Sequence, residues 1–209
     1  MTYARRLLGL AALTLLLLMA AAPTFASPSL FGPTGLLRVP TADTLAPPGL
    51  DFAAYWSSDV ATTLIMNVGV VPKVEVSAAW VDPEGDAAST IISGKWQIMT
   101  EADRGFALAV GLYDASGEIN RTLFGVAQKH LTVGNTRVRV VGGLATEHSL
   151  VDGFFAGAEI LLGRGYSAIV EYDGDNTNAA LRGPLGPDLE FTAGTVGERL
   201  SVGARYTIR

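Results

Sequence analysis

After Pro48 the chain alternates apolar and polar residues with a period of two, almost without interruption to its end. Such alternation makes a strand with one apolar face, because successive side chains point to opposite sides. About twelve segments read this way, at 49–57, 62–70, 73–82, 89–98, 105–113, 121–131, 136–145, 152–162, 165–173, 176–183, 187–196 and 199–208. Turn clusters separate them, among them "DPEGD", "DASGE", "TVGN", "DGDN" and "GPLGP". No segment sustains a helical period. Most segments have the length that a tilted strand needs to cross a bilayer. "PKVEVSAAW" at 72–80 and "PDLEFTAGT" at 187–195 repeat one pattern, as similar positions in a barrel would.

The two faces differ in an unusual way. One carries Leu64, Met66, Val76, Trp80, Ile92, Trp96, Val110, Phe124, Val126, Ile160, Val170 and Phe191. The other carries mainly Gly, Ala, Ser and Thr with isolated charges, as at Gly69, Ser77, Ser93, Ala109, Gly157, Thr192 and Gly203. A water-facing sheet would be richer in Lys and Glu. Small residues fit the inside of a narrow closed barrel, with the apolar face toward lipid. Lipid cannot satisfy backbone N–H and C=O groups, so strands within it must close on themselves. The sequence therefore predicts an all-β fold: an antiparallel up-and-down transmembrane β-barrel of about twelve strands. The alternative is a secreted soluble β-barrel with the apolar face turned inward around an apolar ligand.

Composition sharpens this picture. Charged residues make up 17% of the chain, against about 25% in ordinary soluble domains. The first 26 residues hold Arg5 and Arg6, an apolar run from Leu7, and a small-x-small ending at Thr24 and Ala26. That is the pattern of a cleaved signal peptide. It divides the chain into a signal peptide at 1–26, a Pro-rich leader at 27–48 and a barrel at 49–209, and it implies export to the cell outer membrane. Without Arg5 and Arg6 the formal net charge moves from −5 to −7. An acidic chain is a poor match for nucleic acid, so the expected surroundings are outer-membrane lipid and no nucleic acid.

With both ends in the periplasm, the longer connections face outward and the tighter turns inward. Glu75, Lys95, Lys129, Arg137, Arg139, Glu159, Glu171, Arg182, Glu190 and Arg205 are then expected to point into the lumen, mostly in its periplasmic half. Asp51 would meet Arg205 across the closing seam. Along the last strands the sign alternates through Glu171, Arg182, Glu190 and Arg205. Mixed signs on neighbouring strands suit an ion-paired filling, and a selectivity ring in a narrow pore is the other reading. The leader has five prolines, at 28, 33, 40, 47 and 48. It is either a stiff periplasmic linker or a lumen plug that includes Phe31, Gly35, Leu36, Leu37 and Pro40, with Leu30 as a further anchor.

"FGPTGLLRVPTADTLAPPG" at 31–49 resembles the opening of YjbH-like outer-membrane proteins. "EYDGDNTNAALRG" at 171–183 resembles a second stretch of that family. The resemblance implies a β-barrel associated with exopolysaccharide production or its export machinery. It also implies that Gly35, Pro40, Thr41, Ala42, Glu171, Asp173, Gly174, Asn178 and Arg182 matter.

Catalytic chemistry is thinly represented. The chain has two histidines, His130 and His148. His148 sits among Glu147, Ser149 and Asp152, too close in sequence for a working triad. "DGDNTN" at 173–178 offers oxygen ligands but lacks the spacing of a calcium loop, and a tight acidic turn is the simpler reading. An acidic outer rim sharing divalent cations with lipid phosphates is a further possibility. No cofactor and no enzyme activity are expected. The sequence leaves a surface or exopolysaccharide-associated barrel first and a narrow porin-like channel as the alternative.

Overall fold

The computed structural model describes residues 27–58, 61–83, 86–146 and 150–208. The expected signal peptide, and His148 with its neighbours Glu147 and Ser149, lie outside the described residues. The strands are β1 (Leu50–Ser57), β2 (Ala61–Val71), β3 (Val74–Pro83), β4 (Ser89–Met99), β5 (Ala107–Tyr113), β6 (Thr122–Val133), β7 (Thr136–Ala145), β8 (Phe154–Gly163), β9 (Tyr166–Tyr172), β10 (Thr177–Pro184), β11 (Leu189–Val196) and β12 (Arg199–Ile208). One short helix, α1 (Glu101–Arg104), interrupts the turn between β4 and β5. Each strand pairs antiparallel with the next, and β1 pairs with β12 to close a twelve-stranded barrel.

The outer wall is apolar. Leu64 is 48% exposed, Trp96 54% and Leu181 54%. Exposed aromatic rings collect toward both ends: Trp56, Trp80, Phe154 and Tyr172 near the loop end, and Trp96, Phe106, Tyr166 and Tyr206 near the turn end. Paired aromatic girdles around an apolar band are what a bilayer selects in a transmembrane barrel. A soluble barrel would bury those residues instead, and here charged residues such as Glu75, Lys95 and Glu171 are the buried ones.

The inner face is not uniformly small. Tyr55, Tyr113, Phe124 and Phe155 point inward and are almost fully buried. Three of these rings lie on a glycine directly opposite on the neighbouring strand. A Cβ at Gly203 would sit 2.2 Å from Tyr55 Cδ1, one at Gly111 2.3 Å from Phe124 Cζ, and one at Gly143 2.3 Å from Phe155 Cζ. The glycines are seats for rings that lie flat on the sheet, a pairing that pins register.

Strand β6 corrects the sequence reading. Phe124 and Val126 were expected to face lipid and Lys129 the lumen. Phe124, Val126 and Gln128 are buried inside, while Leu123 and Lys129 are exposed. The segment has apolar residues on both faces, so its alternation does not choose a side. Pairing with β5 chooses: Phe124 lies opposite Gly111, and directly opposed residues share a face. Arg137 is also corrected. It shares the inward side of Arg139 but sits opposite Thr132, next to the tight turn at Gly134, where it is exposed.

At the loop end, Asp114 organises the connection between β5 and β6. Its carboxylate accepts from Ser116 Oγ at 2.7 Å and from the amides of Gly117, Glu118 and Ile119 at 2.9, 3.1 and 2.7 Å. Burial alone would raise its pKa. The Ser116 hydroxyl and the amides of Ile119, Glu118 and Gly117 outweigh that and hold it below the usual carboxylate value. A depressed folded-state pKa contributes stability above the unfolded value near about 3.9, lost as pH falls through the folded one. Amide exchange at Gly117–Ile119 should therefore accelerate in acid, relative to strand amides after correction for intrinsic rates, and Asp114→Asn should abolish that pH dependence. In the wall, Gly143→Val should displace the Phe155 ring and cost about 1–3 kcal/mol, read as a lower temperature for loss of the fast-migrating unboiled band in electrophoresis.

Candidate functional site

Residues 27–45 lie inside the barrel, and Ala46 and Pro48 are exposed where the segment runs into β1. Thr34, Leu36, Val39 and Thr41 have no exposed surface, and Leu37 retains 2%. The segment folds back on itself through bridges Pro28↔Thr34 and Gly35↔Pro40. Its internal backbone bonds include Leu30 N to Leu37 O at 2.7 Å and Leu36 N to Val39 O at 2.9 Å. Proline has no N–H, so Pro28, Pro33 and Pro40 add no donor that the lumen must satisfy.

Plug and wall are shaped to each other. A Cβ on Gly157 would sit 2.4 Å from Leu36 Cδ1, and one on Gly69 2.4 Å from Leu45 O. Gly35 has no room either, with Val39 O at 2.6 Å.

Two wall carboxylates grip the plug backbone. Glu171, on β9, accepts from the amides of Leu37, Arg38 and Val39 at 2.9, 2.8 and 3.2 Å, and from Asn178 Nδ2 at 3.0 Å. Glu75, on β3, accepts from Thr34 N at 2.7 Å, Thr34 Oγ1 at 2.8 Å, Leu45 N at 2.8 Å and Asn67 Nδ2 at 3.2 Å. Lys95 stands opposite Glu75 on β4, 3.0 Å away, and donates to the carbonyls of Thr34 and Thr41 at 2.6 and 2.9 Å. Gln128 accepts from Ala42 N at 3.1 Å, and Gln97 donates to Ala42 O at 2.9 Å. Tyr55 donates to Pro28 O at 3.0 Å.

The other charges form a ladder of alternating sign around the turn-end half of the lumen. Asp51 lies 3.9 Å from Arg205, Arg205 3.8 Å from Glu190, and Glu190 3.6 Å from Arg182. Arg182 continues to Glu159 at 3.6 Å, Glu159 to Arg139 at 3.3 Å, and Arg139 to Asp43 of the plug at 3.7 Å. Glu190 and Arg205 are direct cross-strand partners, as are Arg139 and Glu159. Arg182 also donates to Leu36 O. The expected sequence Glu171, Arg182, Glu190, Arg205 is broken at its first member, because the Glu171 oxygens are taken by the plug amides and Asn178.

Of the residues singled out in the sequence, the structure brings Asp51, Glu75, Lys95, Glu159, Glu171, Arg182, Glu190 and Arg205 to the lumen and leaves Arg137 on the same side but exposed at the turn end. It adds Arg38 and Asp43 from the plug and Asn67, Gln97 and Gln128 from the wall. These carry no pattern signal of their own, since an inward Gln or Asn reads like any polar position of a strand. Asp173 belongs to the plug latch. It pairs with Arg38 Nη1 at 2.8 Å, accepts from Asn178 Nδ2 at 3.0 Å, and accepts from the amides of Asp175 and Asn176. His130 contacts Glu101 through Nδ1 at 2.7 Å, at the turn end.

The plug leaves a cavity on each side. At the loop end is a vestibule of about 570 Å³, floored by Leu30, Phe31 and Arg38. At the turn end is a cavity of about 250 Å³ edged by Ser27, Glu159, Arg182 and Glu190.

No protein-family model matches the chain, and no curated protein matches it in sequence. Among solved structures it is similar to the KdgM porin, with a TM-score of 0.53 and 12% identity over 77% of this chain and 99% of that one. A KdgM porin in complex with disordered oligogalacturonate gives a TM-score of 0.53 and 13% identity, with coverage of 77% and 99%. An outer membrane channel from Pseudomonas putida F1 is more distant, at a TM-score of 0.38 and 12% identity over 77% of this chain and 94% of that one. The shared fold is a closed antiparallel β-barrel, here of twelve strands. At such identity the likeness extends to the fold alone.

Hydrogen bonds to a charged group contribute roughly 1.5–3 kcal/mol each. Glu171→Gln should accordingly speed hydrogen exchange at the Leu37, Arg38 and Val39 amides by about ten- to a hundredfold. Exchange in β1 and β12 should stay unchanged, as read by mass spectrometry in detergent.

Proposed function

We propose that the protein is a porin-like channel of the outer membrane whose lumen is closed, in this state, by its own segment 27–45. The observation that carries this reading is the polar character of the closure. The plug is held by hydrogen bonds and ion pairs from wall side chains, with a cavity on either side of it. The chain contains no cysteine, so no disulfide ties the plug to the wall. A filling that served only to stiffen a barrel would gain more from apolar packing than from buried charges, which cost desolvation. The likeness in fold to a porin, and to a porin solved with oligogalacturonate, supports a role in handling solutes. The longer loops then face the outside and the tight turns the periplasm.

A second reading keeps the YjbH-like resemblance and its association with exopolysaccharide. One observation favours the resemblance. Its two stretches meet in space: Gly35 and Pro40 shape the plug tip, and Glu171, Asp173, Asn178 and Arg182 form the socket around it. On this reading the plugged barrel is an accessory of polysaccharide export and conducts nothing when unplugged.

Planar-bilayer recordings separate the two. A variant lacking residues 27–46 and the double variant Glu75→Gln/Glu171→Gln should conduct at least about tenfold more than the full chain, the equivalent of about 1.4 kcal/mol taken from the closed state. Variants that still migrate as folded barrels before boiling, yet conduct no more than the full chain, would sink the channel reading.

A further inference from the structure

The plug begins in the ionic half of the lumen. Ser27 Oγ donates to Glu190 Oε1 at 2.9 Å, and the Ser27 carbonyl accepts from Gly35 N at 2.8 Å. Pro28 is fixed beside it by the bridge to Thr34 and by the Tyr55 hydroxyl on its carbonyl. Ser27 edges the turn-end cavity of about 250 Å³, together with Glu159, Ser167, Arg182 and Glu190. Covalent geometry keeps its backbone nitrogen within about 4 Å of its own Oγ, so that nitrogen is held close to the same carboxylate. The ion-pair ladder that passes this point is unbalanced. It links four carboxylates, of Asp51, Glu190, Glu159 and Asp43, through three guanidiniums, of Arg205, Arg182 and Arg139. Every member is paired, yet the ladder starts and ends on a carboxylate and so carries one negative charge in excess. An excess charge in a confined interior is costly. Arg164 also edges the cavity, but it is exposed at the turn between β8 and β9.

We propose that the balancing cation is the α-ammonium of Ser27, created when the signal peptide is cut after Ala26, and that this cut locks the plug. The proposal rests on the cleavage pattern of residues 1–26. Before the cut, the Ser27 nitrogen is a neutral amide with one hydrogen. A signal-peptide protease adds water across the Ala26–Ser27 bond. The new carboxylate leaves with Ala26, and the nitrogen takes up a proton to become an ammonium with three donors. Beside Glu190, and facing Glu159 across the cavity, that ammonium brings the ladder to neutrality. The position of the cut matters. One residue more would carry the charge past Glu190, and one fewer would remove the Ser27 hydroxyl that anchors it. This goes beyond the channel reading, since a barrel that never conducts would still be locked in the same way.

The test starts from the full chain exported by its own leader and purified from outer membranes in detergent. Mass spectrometry should find Ser27 as the first residue. The sample is then treated at neutral pH with the N-hydroxysuccinimide ester of acetic acid, and acetylation of the N-terminal peptide is followed over time. The Ser27 amine should react at least about tenfold more slowly in the folded barrel than in the boiled one. Glu190→Gln keeps the shape of the side chain and removes its charge, and it should speed the reaction in the folded barrel by about tenfold, the equivalent of about 1.4 kcal/mol. Asp51→Asn removes a ladder charge away from the cavity and should leave the rate within about twofold of the parent. All variants are compared in samples that keep the unboiled barrel migration. The proposal is overturned if the purified chain begins at another residue, or if folded and boiled parent react alike. It is equally overturned if Glu190→Gln reacts as the parent does, since the amine is then merely buried, or if Asp51→Asn accelerates the reaction as much as Glu190→Gln, since the ladder is then merely loosened.

Discussion

A peptide segment placed inside a closed barrel must find partners for its backbone within the lumen, because bulk water does not fill the space around it. Everything about the interior follows from how that demand is met. Glu171 takes three consecutive amides at the tip of the plug, and Glu75 takes two more from its two arms. Each carboxylate in turn is held by a neutral amide side chain, Asn178 or Asn67. The prolines lower the number of donors to be matched. Glycines at 69 and 157 let plug and wall approach where a methyl group would collide.

The lumen is divided by chemistry as well as by the plug. Its turn-end half is ionic, with the ladder from Asp51 to Asp43 running across β12, β11, β10, β8 and β7. Its loop-end half is aromatic, built from Tyr55, Tyr113, Phe124 and Phe155. The ionic half is costly to desolvate, and its alternating signs spread that cost over many partial pairings. The aromatic half needs no such pairing but needs room, which the opposed glycines provide. The plug is held mainly by polar contacts with side chains of the wall, and the wall strands pair with one another to close the barrel.

Much of this was legible in the alternation. Strand number, closure, the apolar exterior and most of the inward charges follow from a period of two and from the length of each segment. The reading failed at β6, where Leu123, Phe124 and Val126 make both faces apolar, and at Arg137, where a correct side was spoiled by proximity to the end of the barrel. It also mistook the role of the glycines, taking them for the lining of a narrow interior when several are the space that a neighbouring ring occupies. A ring and its glycine lie on different strands, so no local pattern relates them.

By itself, the sequence determined which side of most strands meets lipid, because that choice is made residue by residue through transfer of apolar surface and is visible in one dimension. The contents of the lumen were decided only by the tertiary structure. Whether residues 27–45 hang free or fill the barrel depends on whether Glu75, Lys95, Glu171 and Arg182, far apart along the chain, converge around one short segment. Convergence of that kind is a property of closure and register, since a shift of one residue would turn every one of those side chains toward the lipid.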